Sequence, residues 1–183
     1  MPLTDAERDQ LLKWMEHGRS AIESAVCGLN AAQWRFQTEA ETWSIAQVAQ
    51  HIALSEASIF ARIQRLIAEG PSPAEEIAQT EGKGPTLARM IPSRARKVKS
   101  PQALDTKETC ESPEAWLALF RAAREPRLEF LRSTGADLHS YVFPHFVFQQ
   151  LSAFQWVQMA NLHAERHAKQ MEEVKTQPNY PAR

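Results

Sequence analysis

Residues 152–175 read SAFQWVQMANLHAERHAKQMEEVK, and this stretch decides the fold. Ser152 and Gln155 have the spacing of a capping box, which predicts that a helix begins here. At about 100° per residue, Trp156, His163 and His167 fall on one apolar stripe of that helix. Burying two imidazoles costs free energy unless both are bonded. The pair therefore predicts a divalent metal site, with two hydrogen-bonded core histidines as the alternative.

Start and stop signals predict three more helices upstream. The four predicted helices run from Thr4 to about residue 28, from Ser44 to Gly70, from Ser112 to Gly135 and from Ser152 to about Pro178. Four helices of about 20 residues favour an all-α fold, a four-helix bundle. Pro126 is expected to kink the third helix. The aromatic segment 139–151 is predicted to be extended or a short helical turn.

A long crossover, about residues 70–111, separates the second and third predicted helices. Its prolines and glycines predict an irregular chain with at most short turns of helix. The crossover carries a basic cluster without a nearby acid: Arg89, Arg94, Arg96, Lys97 and Lys99. A solvated surface is the favoured interpretation of this cluster, and a binding patch for an anionic partner is the alternative.

Length and charge limit the classes of function. A chain of 183 residues predicts one domain, 1–183, and a net charge of −1 argues against a nucleic-acid-binding surface. Cys27 and Cys110 lack metal-site spacing and are interpreted as free thiols of a reducing compartment. Acidic residues within the first ten positions argue against a signal peptide, and no apolar run is long enough to span a membrane. These observations predict a cytoplasmic protein without membrane partners.

A third histidine, His51, lies at the edge of the buried face of the second predicted helix. Val48 is about 60° and Ile52 about 100° from it on the helical wheel. Three imidazoles from two helices leave one coordination position open, which is typical of a catalytic metal site. His17 is expected to face water. His145, in the aromatic segment, is the reserve ligand.

The segment 43–51, WSIAQVAQH, together with His163 and His167, resembles the DinB/YfiT-like superfamily. The resemblance covers nearly the whole chain to about residue 175. It implies a four-helix bundle in which His51, His163 and His167 hold zinc or nickel. Many relatives have His-Pro, an aromatic residue and glycine before the last helix. Here residues 143–147 read FPHFV, so the loop near the site is expected to differ in shape.

The resemblance implies several kinds of chemistry, since the superfamily contains thiol-dependent transferases and isomerases, proposed hydrolases and members without known activity. On the helical wheel, Glu165 is about 200° from His163, and Glu56 is about 140° from His51. Neither carboxylate is placed as a general base, whereas a metal-activated thiol needs none. The sequence thus favours a thiol-dependent S-transferase that uses a low-molecular-weight thiol and a small-molecule substrate. A metal-dependent hydrolase and a non-catalytic metal- or ligand-binding bundle are the alternatives.

Two further features concern substrate binding and assembly. Arg124 and Arg127 fall within the apolar stripe of the third helix, and Arg124 is the candidate binder of a substrate anion. In the alternative interpretation, Pro126 shifts the helix and both arginines reach solvent. The aromatic segment predicts a homodimer contact or, equally, a cap on the bundle.

Overall fold

Seven helices and one β-hairpin make up the part of the chain that the computed structural model describes, residues 1–39, 42–95, 106 and 110–182. The helices are α1 (Asp5–Val26), α2 (Ala31–Arg35), α3 (Ile45–Glu69), α4 (Ala74–Ala78), α5 (Lys83–Met90), α6 (Pro113–Ser133) and α7 (Ala153–Lys175). The hairpin strands are β1 (Val142–His145) and β2 (Gln149–Ser152).

The predicted starts of the four long helices are confirmed. Thr4, Ser44 and Ser152 each accept a hydrogen bond from the backbone N–H of the residue three positions on. The side chain of that residue in turn accepts a hydrogen bond from the backbone N–H of the capping residue. Ser112 caps α6, with Pro113 at its first position. These side chains satisfy amide groups that have no partner within the helix, so they fix the residue at which each helix begins.

The mostly helical structure is consistent with the all-α prediction, and one small hairpin is added to it. β1 and β2 pair antiparallel, with Val142 opposite Ser152 and His145 opposite Gln149. The aromatic segment is therefore extended, one of the two predicted alternatives. Within the crossover, α4 and α5 are the short turns of helix that were expected. Arg96, Lys97 and Lys99 of the basic cluster lie outside the described residues.

Helix α7 occupies a central position, because it packs against α1, α3 and α5. Helix α6 packs against α1 and α3. Gly18 lets α1 approach α7 closely, since a Cβ at this position would lie 2.7 Å from Oδ1 of Asn161. Packing of the four long helices as a four-helix bundle stays a prediction. The contact between α3 and α7 brings together the two helices that carry the three histidines.

The hairpin buries part of its apolar surface and exposes the rest. Val142 and Phe143 are buried, while Phe146 and Val147 at the turn are 68% and 50% exposed. The homodimer stays a prediction that light scattering can test. None of the helices in the described ranges has an apolar stretch long enough to cross a bilayer. Both cysteines are free, as predicted.

Candidate metal centre

Three imidazoles converge at the contact between α3 and α7. Nε2 of His163 lies 3.3 Å from Nε2 of His51 and 2.9 Å from Nε2 of His167. Two nitrogens bound tetrahedrally to one zinc ion are about 3.4 Å apart, so the observed spacing is that of ligands to a single ion. In the described part of the chain, no cysteine, aspartate or glutamate joins this group.

Local structure explains why these side chains meet. His163 and His167 are one turn apart on α7, which places both rings on the same face. The cap at Ser44 sets the register of α3 and thereby turns His51 inward, where it is 4% exposed. The ring of Trp43 packs against His51 with the centroids 5.0 Å apart. The sequence placed His51 at the edge of the buried face, and the structure places it inside.

Hydrogen bonding and burial prepare the rings for ligation. Nδ1 of His167 lies 2.8 Å from Oε1 of Gln170. An amide oxygen only accepts, so Nδ1 carries the proton and Nε2 presents its lone pair to the site. Burial lowers the pKa of His167 to about 3 and holds the pKa of His163 well below its usual value. These two rings are therefore neutral at pH 7, and neutral imidazole is the form that binds metal.

A divalent cation fits this arrangement better than hydrogen bonds between the rings. An Nε2–H on His163 could donate a hydrogen bond to Nε2 of His167 at 2.9 Å. The same proton cannot also form a good hydrogen bond to Nε2 of His51 at 3.3 Å. A cation accepts lone pairs from all three nitrogens at once. The group therefore fits a metal with three protein ligands.

The three histidines line a cleft of about 2160 Å³. Trp43 lines the cleft beside His51. Four aromatic residues that contact one another or His145 form one wall: Phe143, Phe146, Phe148 and Trp156. Five arginines also line the cleft: Arg62, Arg65, Arg89, Arg94 and Arg166. Glu39 and Glu173 are the only acidic residues in the described part of the lining, and Glu173 accepts hydrogen bonds from Arg94. The cleft is thus aromatic on one side and rich in positive charge.

Arg124 does not belong to this cleft. It is 1% exposed, and its Nε and Nη2 donate to the Glu56 carboxylate at 2.6–3.0 Å. Its Nη1 donates to the carbonyl of Met15, and Arg127 donates to the same Glu56 at 2.6 Å. Both arginines point inward, so the alternative in which Pro126 turns them to solvent is wrong. Arg124 has an internal partner in place of the substrate anion that the sequence suggested.

The other predicted positions are mostly confirmed. Glu165 lies 3.4 Å from exposed His17 and lines a hollow between α1 and α7, away from the histidine group. Glu56 likewise faces the arginines and not the cleft. The basic cluster has no acid near it in the sequence, but in the fold Arg94 forms an ion pair with Glu173 at 2.7 Å.

One predicted site residue lies apart from the three-histidine group, and one residue of the site was not predicted. His145 lies in the cleft wall but outside the group of three, so its suggested use as a reserve ligand needs a different geometry. Gln170, the residue that orients His167, was not identified. The sequence did contain a signal for it: Gln170 follows His167 by three positions, and residues so spaced are neighbours on a helix.

Comparison with known proteins identifies relatives of the chain. A family model described as the DinB superfamily matches residues 15–171. The chain is also similar to uncharacterized protein YuaE of Bacillus subtilis (strain 168), with 26% identity over 148 residues, which covers 81% of this chain and 86% of YuaE. No solved structure gives a significant match. The match to the superfamily spans all three histidines.

Proposed function

Because the chain belongs to the DinB superfamily, we propose that it is a metal-dependent enzyme in which His51, His163 and His167 hold one divalent ion, zinc or nickel. The spacing of the three Nε2 atoms, 2.9 and 3.3 Å, is the observation that carries this proposal. With three protein ligands, a tetrahedral ion has one position left for an exogenous ligand, which is the arrangement of catalytic sites.

The proposed reaction is the transfer of a low-molecular-weight thiol to an electrophilic small molecule. A divalent ion bound by neutral imidazoles favours an anionic ligand and lowers the pKa of a thiol bound to it. The thiol proton passes to solvent, sulfur attacks the electrophilic carbon, and the leaving group departs with its electron pair. This chemistry needs no carboxylate base. Glu56 and Glu165 face away from the cleft, and Glu173 in its lining is paired with Arg94.

The side chains of the cleft supply binding and orientation. Phe143 and Trp156 stack with parallel planes and centroids 4.4 Å apart, which forms a rigid apolar wall for the body of a substrate. Arg62, Arg65 and Arg89 have no ion-pair partner among the described residues, so their charge favours anionic substrates or thiols. Gln170 fixes the orientation of the His167 ring.

The test is a thiol-transfer assay on protein loaded with zinc or nickel. A panel of small thiols, including cysteine and glutathione, is combined with 1-chloro-2,4-dinitrobenzene, and the coupled product is measured. We expect turnover that depends on both metal and thiol, is lost in His51→Ala and is retained in His17→Ala, a matched replacement of an exposed histidine.

Other outcomes would favour the alternatives. Hydrolysis of p-nitrophenyl acetate that needs metal but no thiol would overturn the transferase proposal in favour of a hydrolase. Binding of thiol without turnover of any electrophile would favour a non-catalytic binding bundle. An absence of metal binding would contradict the proposal as a whole.

A further inference from the structure

His145 closes β1 and begins the hairpin turn, and the turn fixes which ring nitrogen carries its proton. Its Nδ1 lies 3.0 Å from the backbone N of Val147 and 3.3 Å from that of Phe148. A backbone N–H only donates, so Nδ1 is the acceptor of both hydrogen bonds and carries no proton. In the neutral ring the proton is therefore on Nε2.

Aromatic neighbours hold this ring in place. The centroid of His145 is 4.5 Å from that of Phe146, 5.1 Å from that of Phe148 and 5.2 Å from that of Trp156. The residue is 8% exposed, and burial lowers its pKa to about 4, so the ring stays neutral at pH 7. His145 thus has one N–H donor in a fixed direction.

The Nε2–H of His145 is available to a ligand. It makes no hydrogen bond to any residue in the described ranges, although the ring lines the same cleft as His51, His163 and His167. In a neutral ring, ligation of a metal through Nε2 would place the proton on Nδ1, where it would face the two backbone N–H groups. This geometry disfavours His145 as a metal ligand and leaves it the role of a donor.

We propose that His145 binds the substrate, its Nε2–H donating a hydrogen bond to an oxygen next to the reacting carbon. The inference rests on the proposed function and adds a substrate class: electrophiles activated by a carbonyl or similar acceptor oxygen. A neutral imidazole can polarise a carbonyl without giving up its proton. The donor is preorganised, because the turn and the aromatic rings fix it before the substrate arrives.

Two matched electrophiles test this preference. Both 2-chloroacetophenone and benzyl chloride react by the same displacement, in which a C–S bond forms and chloride leaves with its electron pair, but only the first has a carbonyl. His145→Phe keeps an aromatic ring and removes the donor. We expect kcat/KM for 2-chloroacetophenone to fall about 10- to 100-fold, and for benzyl chloride less than about twofold, since one hydrogen bond to developing charge is lost.

Two control variants separate the donor from packing. His145→Gln places an amide N–H near the former Nε2 and is expected to recover part of the rate with 2-chloroacetophenone. His145→Asn, whose amide is too short to reach that position, is expected to resemble His145→Phe. Equal losses with both electrophiles, or no recovery in His145→Gln, would overturn the inference.

Readouts other than activity separate this inference from the proposed function. Metal content is expected to be unchanged in every His145 variant, and its loss would show that His145 is a ligand after all. Long-range ¹H–¹⁵N spectra are expected to show the Nε2–H tautomer, with its signal shifted by acetophenone even in protein that transfers no thiol. A proton on Nδ1, or no shift with acetophenone, would overturn the inference.

Discussion

Replacing Glu56 with alanine tests how much the buried ion-pair cluster contributes to stability. Glu56 and Arg124 are 2% and 1% exposed, and the carboxylate accepts hydrogen bonds from both Arg124 and Arg127. In Glu56→Ala, Arg124 keeps its hydrogen bond to the carbonyl of Met15 and its position over the ring of Phe120, but it loses its counter-ion. A buried cation without its counter-ion is expected to destabilise the folded state strongly.

The expected loss in the free energy of unfolding is about 3–5 kcal/mol, the usual effect of removing one partner from a buried pair. Such a loss is a large share of the ~5–15 kcal/mol that stabilises a typical domain. Arg127, whose side chain is 14% exposed, can turn to solvent, so the cost falls mainly on Arg124. The assay is urea unfolding in the presence of a chelator, because bound metal would otherwise add to stability.

Two matched variants make the result interpretable. Glu125→Ala removes an exposed partner of Arg132 and is expected to cost less than about 1 kcal/mol. Replacing Glu56 and Arg124 together with methionine removes both buried charges and is expected to recover much of the stability lost in Glu56→Ala. A loss below about 1 kcal/mol in Glu56→Ala would refute the inference that the cluster is buried and mutually dependent.

Three further outcomes are expected. His167→Ala should lower the melting temperature much more in added metal than in chelator, because a ligand at one hundred times its Kd stabilises by about 2.7 kcal/mol; equal losses would identify a packing residue. Gly18→Ala should cost about 1–3 kcal/mol, since its Cβ would lie 2.7 Å from Asn161, whereas Gly135→Ala, which meets no atom within 4 Å, should be nearly neutral. As pH drops from about 6.5 to 4 in chelator, the unfolding free energy of the wild type should fall more than that of His145→Gln, by up to about 1.4 kcal/mol per pH unit. The reason is that His145 takes up a proton in the unfolded chain but not while it is buried. Parallel pH profiles for the two proteins would contradict this.

Local sequence signals were sufficient for the starts of the long helices, whereas the set of three histidines rested on the helical wheel together with the family resemblance. Ser44 and Ser152 begin helices through hydrogen bonds to residues three positions away, so short sequence windows contain the whole signal. The inward face of Arg124 could also be predicted from the wheel. Its partner Glu56 could not be predicted, because the pairing depends on the contact between α3 and α6. The one signal in the sequence was that Glu56 lies about 40° from Ile52, in the apolar stripe of α3.

The hairpin depends on contacts that are distant in sequence. Each strand has four residues, too few for a clear alternation of apolar and polar positions. Its stability comes from packing on α7, where Trp156 donates a hydrogen bond to the carbonyl of Phe143 and stacks on its ring. The aromatic wall of the cleft and the fixed donor of His145 both follow from this packing.

A crystal structure of zinc-loaded protein, with anomalous diffraction recorded at the zinc edge, tests the central claim most directly. We expect one anomalous peak bound by Nε2 of His51, His163 and His167 at about 2.0–2.1 Å, with a fourth ligand that is not a protein side chain. A peak elsewhere in the molecule, or His51 turned away from an ion held by other residues, would contradict the three-histidine centre and the function proposed from it.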